Sequence, residues 1–207
     1  MSTGALERII RRGREQATGP AERCELCRSG IVATHRHMLD TDKGEVLCVC
    51  TACTVLFNRG AASEGHYRLI PDRRVRLRGV EPRLLGVPVG LAFFVIGADG
   101  TVFANYPSPA GATQWDIDRT GWTQVVSSCP ELQTMAEQVE ALLVDTTMDG
   151  DGRARREAWL VPIDDCFRLV AVVRKEWKGL SGGDRVRPAI DQFFQDLRRS
   201  HGQDPRR

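Results

Sequence analysis

Long apolar stretches are scarce in this chain. The longest, residues 87–96, falls well short of the about 20 residues needed to cross a bilayer. Residues 1–16 carry charge but no apolar core of an export signal. The expectation is a cytoplasmic protein with reduced thiols and no membrane span. Charge of one sign is also lacking. Lys and Arg number 29 against 27 Asp and Glu, a net charge of +2, so bulk electrostatics argue against a nucleic-acid binder. Local catalytic signatures are missing too. There is no G-x-S-x-G, and Gly179-Leu-Ser-Gly-Gly183 has no lysine followed by Ser or Thr to cradle a phosphate. Asp149-Gly-Asp151-Gly152 has Leu160, not glutamate, where a calcium loop closes.

What remains is a chain of 207 residues with 42% hydrophobic and 27% charged residues. That suffices for one good core and a small appended module. Its sharpest chemical feature is cysteine placement. Of seven cysteines, Cys129 and Cys166 stand alone and read as small buried hydrophobes. Cys24-Glu-Leu-Cys27 and Cys50-Thr-Ala-Cys53 form two C-x-x-C pairs separated by residues 28–49. A two-residue gap lets both sulfurs of a pair reach one ion, so the two pairs can close a tetrahedral thiolate site. The expected ligands are Cys24, Cys27, Cys50 and Cys53, and the expected ion is Zn²⁺, with iron in a rubredoxin-like site as the alternative. Glu25-Leu26 and Thr51-Ala52 inside the knuckles, in place of glycine and aromatic residues, favour zinc. Cys48 shares a strand face with Cys50 by period-two alternation. It is therefore an alternative ligand or a buried neighbour. His35 and His37 also share a strand face and could complete a Cys₃His site; a structural or supporting role is the simpler reading.

Residues 31–39 and 45–50 read as the two strands of a hairpin turning at Asp40-Thr-Asp-Lys-Gly44, and residues 54–59 as a short helix. Knuckle, hairpin and a second pair at a helix start follow the order of a treble clef. Further on, residues 89–96 and 101–106 make a hairpin through Gly97-Ala-Asp-Gly100. Residues 107–112 read as a rigid loop. Helices are expected over 118–126, 130–143, 164–177 and 184–200, the third capped by Asp164 or Asp165. Extended segments are expected at 66–77 and 158–163, and a mobile loop at 145–156. The fold class is α+β: a small treble-clef or zinc-ribbon-like Cys₄ module followed by an antiparallel β-sheet domain with packed helices. The expected organisation is an amphipathic N-terminal helix and linker (1–20), the Cys₄ module (21–60), the α+β domain (66–200) and a basic tail (201–207). Arginines cluster at 8–14 and again at Arg68, Arg73, Arg74, Arg76, Arg78 and Arg83. They read as solvated surface, or as a docking face for an acidic protein or RNA.

Glu22-Arg-Cys-Glu-Leu-Cys27, His35-Arg-His37 and Leu47-Cys-Val-Cys-Thr-Ala-Cys53 together resemble an uncharacterised bacterial family. So do Val87-Pro-Val-Gly-Leu-Ala-Phe-Phe94, Tyr106-Pro-Ser-Pro-Ala-Gly-Ala-Thr113, Leu160-Val-Pro-Ile163 and Ile190-Asp-Gln-Phe-Phe-Gln-Asp-Leu197. Members of that family are found with the structural genes of the actinobacterial-type, high-affinity nickel–iron uptake hydrogenase. The resemblance implies a setting, hydrogenase maturation or operation, but no reaction. It places the matched cysteine pattern on Cys24, Cys27, Cys48, Cys50 and Cys53, and marks Tyr106, Pro107, Ser108 and Pro109 as a partner surface or packing corner. The expected function is a non-catalytic, metal-binding accessory protein acting on a hydrogenase subunit or another maturation protein. The alternatives are a rubredoxin-like redox partner and a zinc-finger nucleic-acid-binding regulator.

Overall fold

The computed structural model describes residues 22–57, 65–86, 90–148, 155–177 and 183–201. The N-terminal helix, the 60–64 linker, residues 149–154 of the expected loop and the tail after His201 lie outside the described residues. The architecture is α+β, with antiparallel sheets and a cysteine module ahead of the larger sheet. The chain divides into two compact units that meet between Leu69 and Ile70.

In the first unit, strands β1 (Arg36–Asp40) and β2 (Glu45–Val49) form a tight hairpin, and β3 (Tyr67–Leu69) adds to the free edge of β1. Asp40 fixes the turn: its carboxylate accepts from the amides of Asp42 and Lys43, both at 3.2 Å. Helix α1 (Thr51–Phe57) follows directly. The first strand is shorter than the expected 31–39. Gly30 bridges Arg23, and the Ile31 amide donates to the Glu22 carbonyl. These residues are thus used in closing the first knuckle before the hairpin begins.

In the second unit, β4 (Val75–Arg76), β5 (Leu91–Ile96), β6 (Val102–Ser108), β7 (Gly111–Asp116), β8 (Glu140–Asp145) and β9 (Glu157–Pro162) build one antiparallel sheet in the order β4-β9-β8-β5-β6-β7. Helix α2 (Arg119–Ser128) starts with Asp118 accepting from the Gly121 amide. Trp122 and Val125 of α2 pack with Phe94, Leu142 and Leu160 in the main apolar cluster. Gly121 permits that approach, because a Cβ there would sit 2.0 Å from the Leu84 carbonyl oxygen. Alternation sends Phe93, Leu143 and Trp159 to the other face, where they are buried. Helices α3 (Ile163–Glu176) and α4 (Gly183–His201) supply further buried residues, and the His201 ring meets Trp159 edge-on at 5.5 Å.

Three expectations are corrected. The helix expected over 130–143 is a short 3₁₀ turn, Pro130–Thr134, followed by strand β8. Glu140–Asp145 is buried at every position, as a central strand covered on both faces must be. The rigid loop at 107–112 is instead the tip of the β6–β7 hairpin: Pro107 pairs with Ala112 and Ser108 with Gly111, whose φ of 125° suits glycine. Asp165 does not cap α3. It is buried and holds Arg74 through Nε at 2.5 Å and Nη2 at 3.1 Å.

Arg73 is likewise taken out of the arginine cluster. Its Nε and Nη2 meet the two carboxylate oxygens of fully buried Glu140 at 2.5 and 2.7 Å, while the Ala136 amide donates to Glu140 Oε2. The pair ties the segment before β4 to the start of β8. Arg73→Ala leaves a buried carboxylate without its cation. Breaking a buried pair costs about 3–5 kcal/mol; the 38% exposure of the Arg73 side chain puts the expected loss at the lower end. Urea unfolding followed by tryptophan fluorescence reads it, and an unchanged midpoint excludes a structural role for the pair.

Candidate metal centre

Backbone geometry alone brings the first two thiols together. The Cys24 amide donates to the Ser29 carbonyl and the Arg28 amide to the Cys24 carbonyl, each at 2.8 Å. Arg28 takes a left-handed φ of 64° to complete the knuckle. The second pair is set by the start of α1. Cys50 precedes the helix, Cys53 lies in its first turn, and the Cys53 amide donates to Cys50 Sγ at 3.4 Å. The hairpin folds these two turns onto each other. The Sγ atoms of Cys24, Cys27, Cys50 and Cys53 then lie within 4.8 Å of one another, with Cys27 and Cys50 at 3.6 Å.

Four thiolates around an ion at about 2.3 Å stand roughly 3.8 Å apart in a tetrahedron. The donor set and its spacing fit a single four-coordinate ion, so this cluster can bind a metal. Cys24 and Cys53 are buried, Cys50 is half-buried and Cys27 is exposed, which leaves one edge of the centre open to solvent. Behind it, Cys24, Cys53, Met38 and Val49 form a small apolar cluster with Leu26, Leu47, Phe57 and Tyr67.

Electrostatics favour negative charge here. The Ser29 hydroxyl and amide, then the neighbouring Cys24 and Cys53 thiols, lower the Cys27 thiol to about 6. Burial pushes Cys24 up, but backbone hydrogen bonds from the Cys50, Cys27 and Leu26 positions outweigh it and leave the thiol lowered. Burial, reinforced by hydrogen bonds with Cys27, Cys50 and Cys24, pushes Cys53 up. A cluster that ionises some of its sulfurs readily and resists ionising the last is completed by a cation, which displaces the remaining protons.

The structure separates the accessory candidates from these four sulfurs. Cys48 is grouped with His35 and His37 instead. Burial raises the Cys48 thiol, and Glu25, Glu22 and Cys24 add to the rise. His35 lies just before β1 rather than on it. Tyr106, Pro107 and Ser108 end β6, and Pro109 turns into β7. A cavity of about 650 Å³ in the second unit is lined by Arg76, Arg78, Arg83, Arg155 and Arg156 with Glu81 and Glu157. Arg76, Arg78 and Arg83 come from the arginine cluster of the sequence, and the fold adds Arg155 and Arg156 from a distant segment.

Cys24→Ser or Cys53→Ser removes one of four ligands. The binding energy of such centres, about 10–16 kcal/mol for structural zinc at neutral pH, is also folding energy. Each variant is expected to lose the thiolate charge-transfer band after Co²⁺ loading and to become sensitive to protease between residues 22 and 69. A variant that keeps both the band and the protection excludes the four-thiolate centre.

Among the described residues, no helix is long and apolar enough to cross a membrane. No curated protein and no solved structure matches the chain. One family model does, over residues 23–201, and that span runs from the first knuckle to the end of the last helix. The chain therefore belongs to the family of unknown function DUF5947.

Proposed function

We propose that this protein is a Zn²⁺-binding accessory protein linked to the maturation or operation of a nickel–iron hydrogenase, and that it works by binding a hydrogenase subunit or another maturation protein. The observation that carries the reading is the convergence of the four sulfurs within 4.8 Å, the arrangement of a closed structural centre. Zinc is the ion that suits it, since the knuckles carry Glu25-Leu26 and Thr51-Ala52 rather than the glycine and aromatic residues of rubredoxin-type sites. The hydrogenase setting rests on the sequence resemblance described above.

Two surfaces support a binding role. Val55 and Leu56 stand exposed on α1, and Val32 is exposed beside the first knuckle. Apolar side chains displayed next to a metal-stabilised turn cost solubility unless a partner covers them. In the second unit, the arginine-lined cavity suits an acidic segment of a protein partner. With near-neutral total charge, this localised basic lining fits a partner protein better than a nucleic-acid backbone.

Deletion of the gene is expected to lower hydrogenase activity, processing or metal content, and the tagged protein is expected to capture a hydrogenase subunit or maturation protein. Val55→Asp with Leu56→Asp should weaken that capture at least about tenfold, a loss of about 1.4 kcal/mol, while the bound zinc stays. Unchanged hydrogenase in the deletion strain sinks the reading. A coloured, redox-active, iron-loaded protein after anaerobic purification would replace it with electron transfer.

A further inference from the structure

The β1–β2 hairpin carries different chemistry on its two faces. Met38, Leu47 and Val49 belong to the apolar cluster that backs the four sulfurs. Alternation places His37 and Cys48 on the opposite face. Their register is direct, His37 opposite Cys48, and opposite residues of an antiparallel pair are close neighbours. His35 joins them from the segment before β1. One ligand atom from each of His35, His37 and Cys48 lies within 4.8 Å of the other two. The two imidazoles meet edge to face, with ring centres 4.9 Å apart.

His35 is the most informative member. Its Nδ1 lies 2.9 Å from the Val32 carbonyl oxygen and 3.5 Å from a Glu22 carboxylate oxygen. Both oxygens accept, so Nδ1 carries a proton, and in the neutral ring Nε2 is then the nitrogen with the free lone pair. The side chain is only 9% exposed, and Nε2 is buried with no hydrogen-bond partner among the described residues. A buried acceptor left unpaired is costly. The hydrogen bond at Nδ1 is also the device that orients a metal-bound imidazole and makes its other nitrogen a better donor.

We propose that His35, His37 and Cys48 form a second metal site, distinct from the four-thiolate centre, that binds a late first-row divalent cation of the Zn²⁺ type. A mixed set of imidazoles and a thiolate excludes the hard, oxygen-seeking Mg²⁺ and Ca²⁺ and suits borderline ions. Three protein ligands leave the fourth tetrahedral position to water or a small exogenous ligand, the ligand count of open rather than closed zinc sites. The cation relieves Nε2 of His35 and displaces the Cys48 proton to solvent. Glu25, inside the first knuckle, holds the third ligand in place: its carboxylate accepts from the Cys48 amide at 2.6 Å, and its own amide donates to the Cys48 carbonyl at 2.9 Å.

Anaerobic titration of the reduced, metal-free full chain with Co²⁺ tests this. The wild type is expected to saturate at about two equivalents, one with the intense charge-transfer bands of four thiolates and one with weaker bands. Cys48→Ser and, separately, His37→Ala should each saturate at about one equivalent while keeping the four-thiolate spectrum. Retention of that spectrum shows that the variant has folded. Imidazole or azide should shift the weaker bands in the wild type and leave the four-thiolate bands unchanged, because only the second site has an open position. Saturation of the wild type at about one equivalent, or two equivalents persisting in both variants, overturns the proposal. Loss of the four-thiolate bands with the weaker ones kept would instead count against the closed centre and for this site.

Discussion

Mutual repulsion of four sulfurs is the constraint on which the first unit depends. Among the described residues its apolar cluster has four buried members, Cys24, Met38, Val49 and Cys53, and two of those are candidate ligands. Four such side chains offset little of the entropy of ordering a knuckle, a hairpin and a seven-residue helix. The same turns force the thiols to within 4.8 Å, where they cannot all ionise together without a cation. A bound ion would convert that liability into a stabilising contribution. The left-handed Arg28, an unfavourable conformation for a β-carbon-bearing residue, is tolerated on the same terms.

The second unit has the opposite economy. The central strands of its sheet are covered on both faces, and Phe93, Phe94, Leu142, Leu143, Trp159 and Leu160 are almost wholly inaccessible. Such a core can accommodate buried charge if each charge is met. Glu140 and Asp165 are met by Arg73 and Arg74, consecutive residues whose side chains serve two different carboxylates. The arginines beyond them in sequence, Arg76, Arg78 and Arg83, line the cavity instead. One basic stretch is therefore split between internal pairing and the lining of an open cavity.

Legibility in the sequence followed the range of the interactions involved. The C-x-x-C pairs could be read because their geometry is covalent and local. The 97–100 turn could be read because glycine at φ 76° and the Asp99 side chain, which accepts from the Thr101 amide, fix it locally. The last helix declared itself by its 3.6-residue period. Strand β8 did not, because a strand buried on both faces has no alternation, and Leu132, Met135, Val139 and Leu142 happen to satisfy helical spacing. The fate of Cys48 turned on one residue. Period two puts Cys48 and Cys50 on one face only if the strand continues through both. It ends at Val49 and the helix begins at Thr51, so Cys50 swings to the four-sulfur cluster while Cys48 stays with the histidines. Nothing in a single sequence locates that switch to within a residue.

The link between the two clusters runs through Glu25 rather than through a shared ligand. Both of its bonds to Cys48 involve backbone groups, so they report strand position and not the state of the thiol. Closing the first knuckle fixes Glu25, Glu25 fixes the end of β2, and the end of β2 sets both Cys48 and the approach of Cys50 to Cys27. A cation held by His35, His37 and Cys48 would bind only the folded hairpin and would stabilise it by mass action. Because such coupling is reciprocal, an ion that orders the knuckle would favour the neighbouring site in the same measure. Metal binding at the knuckle would then make binding at the neighbouring site more favourable, within one short module.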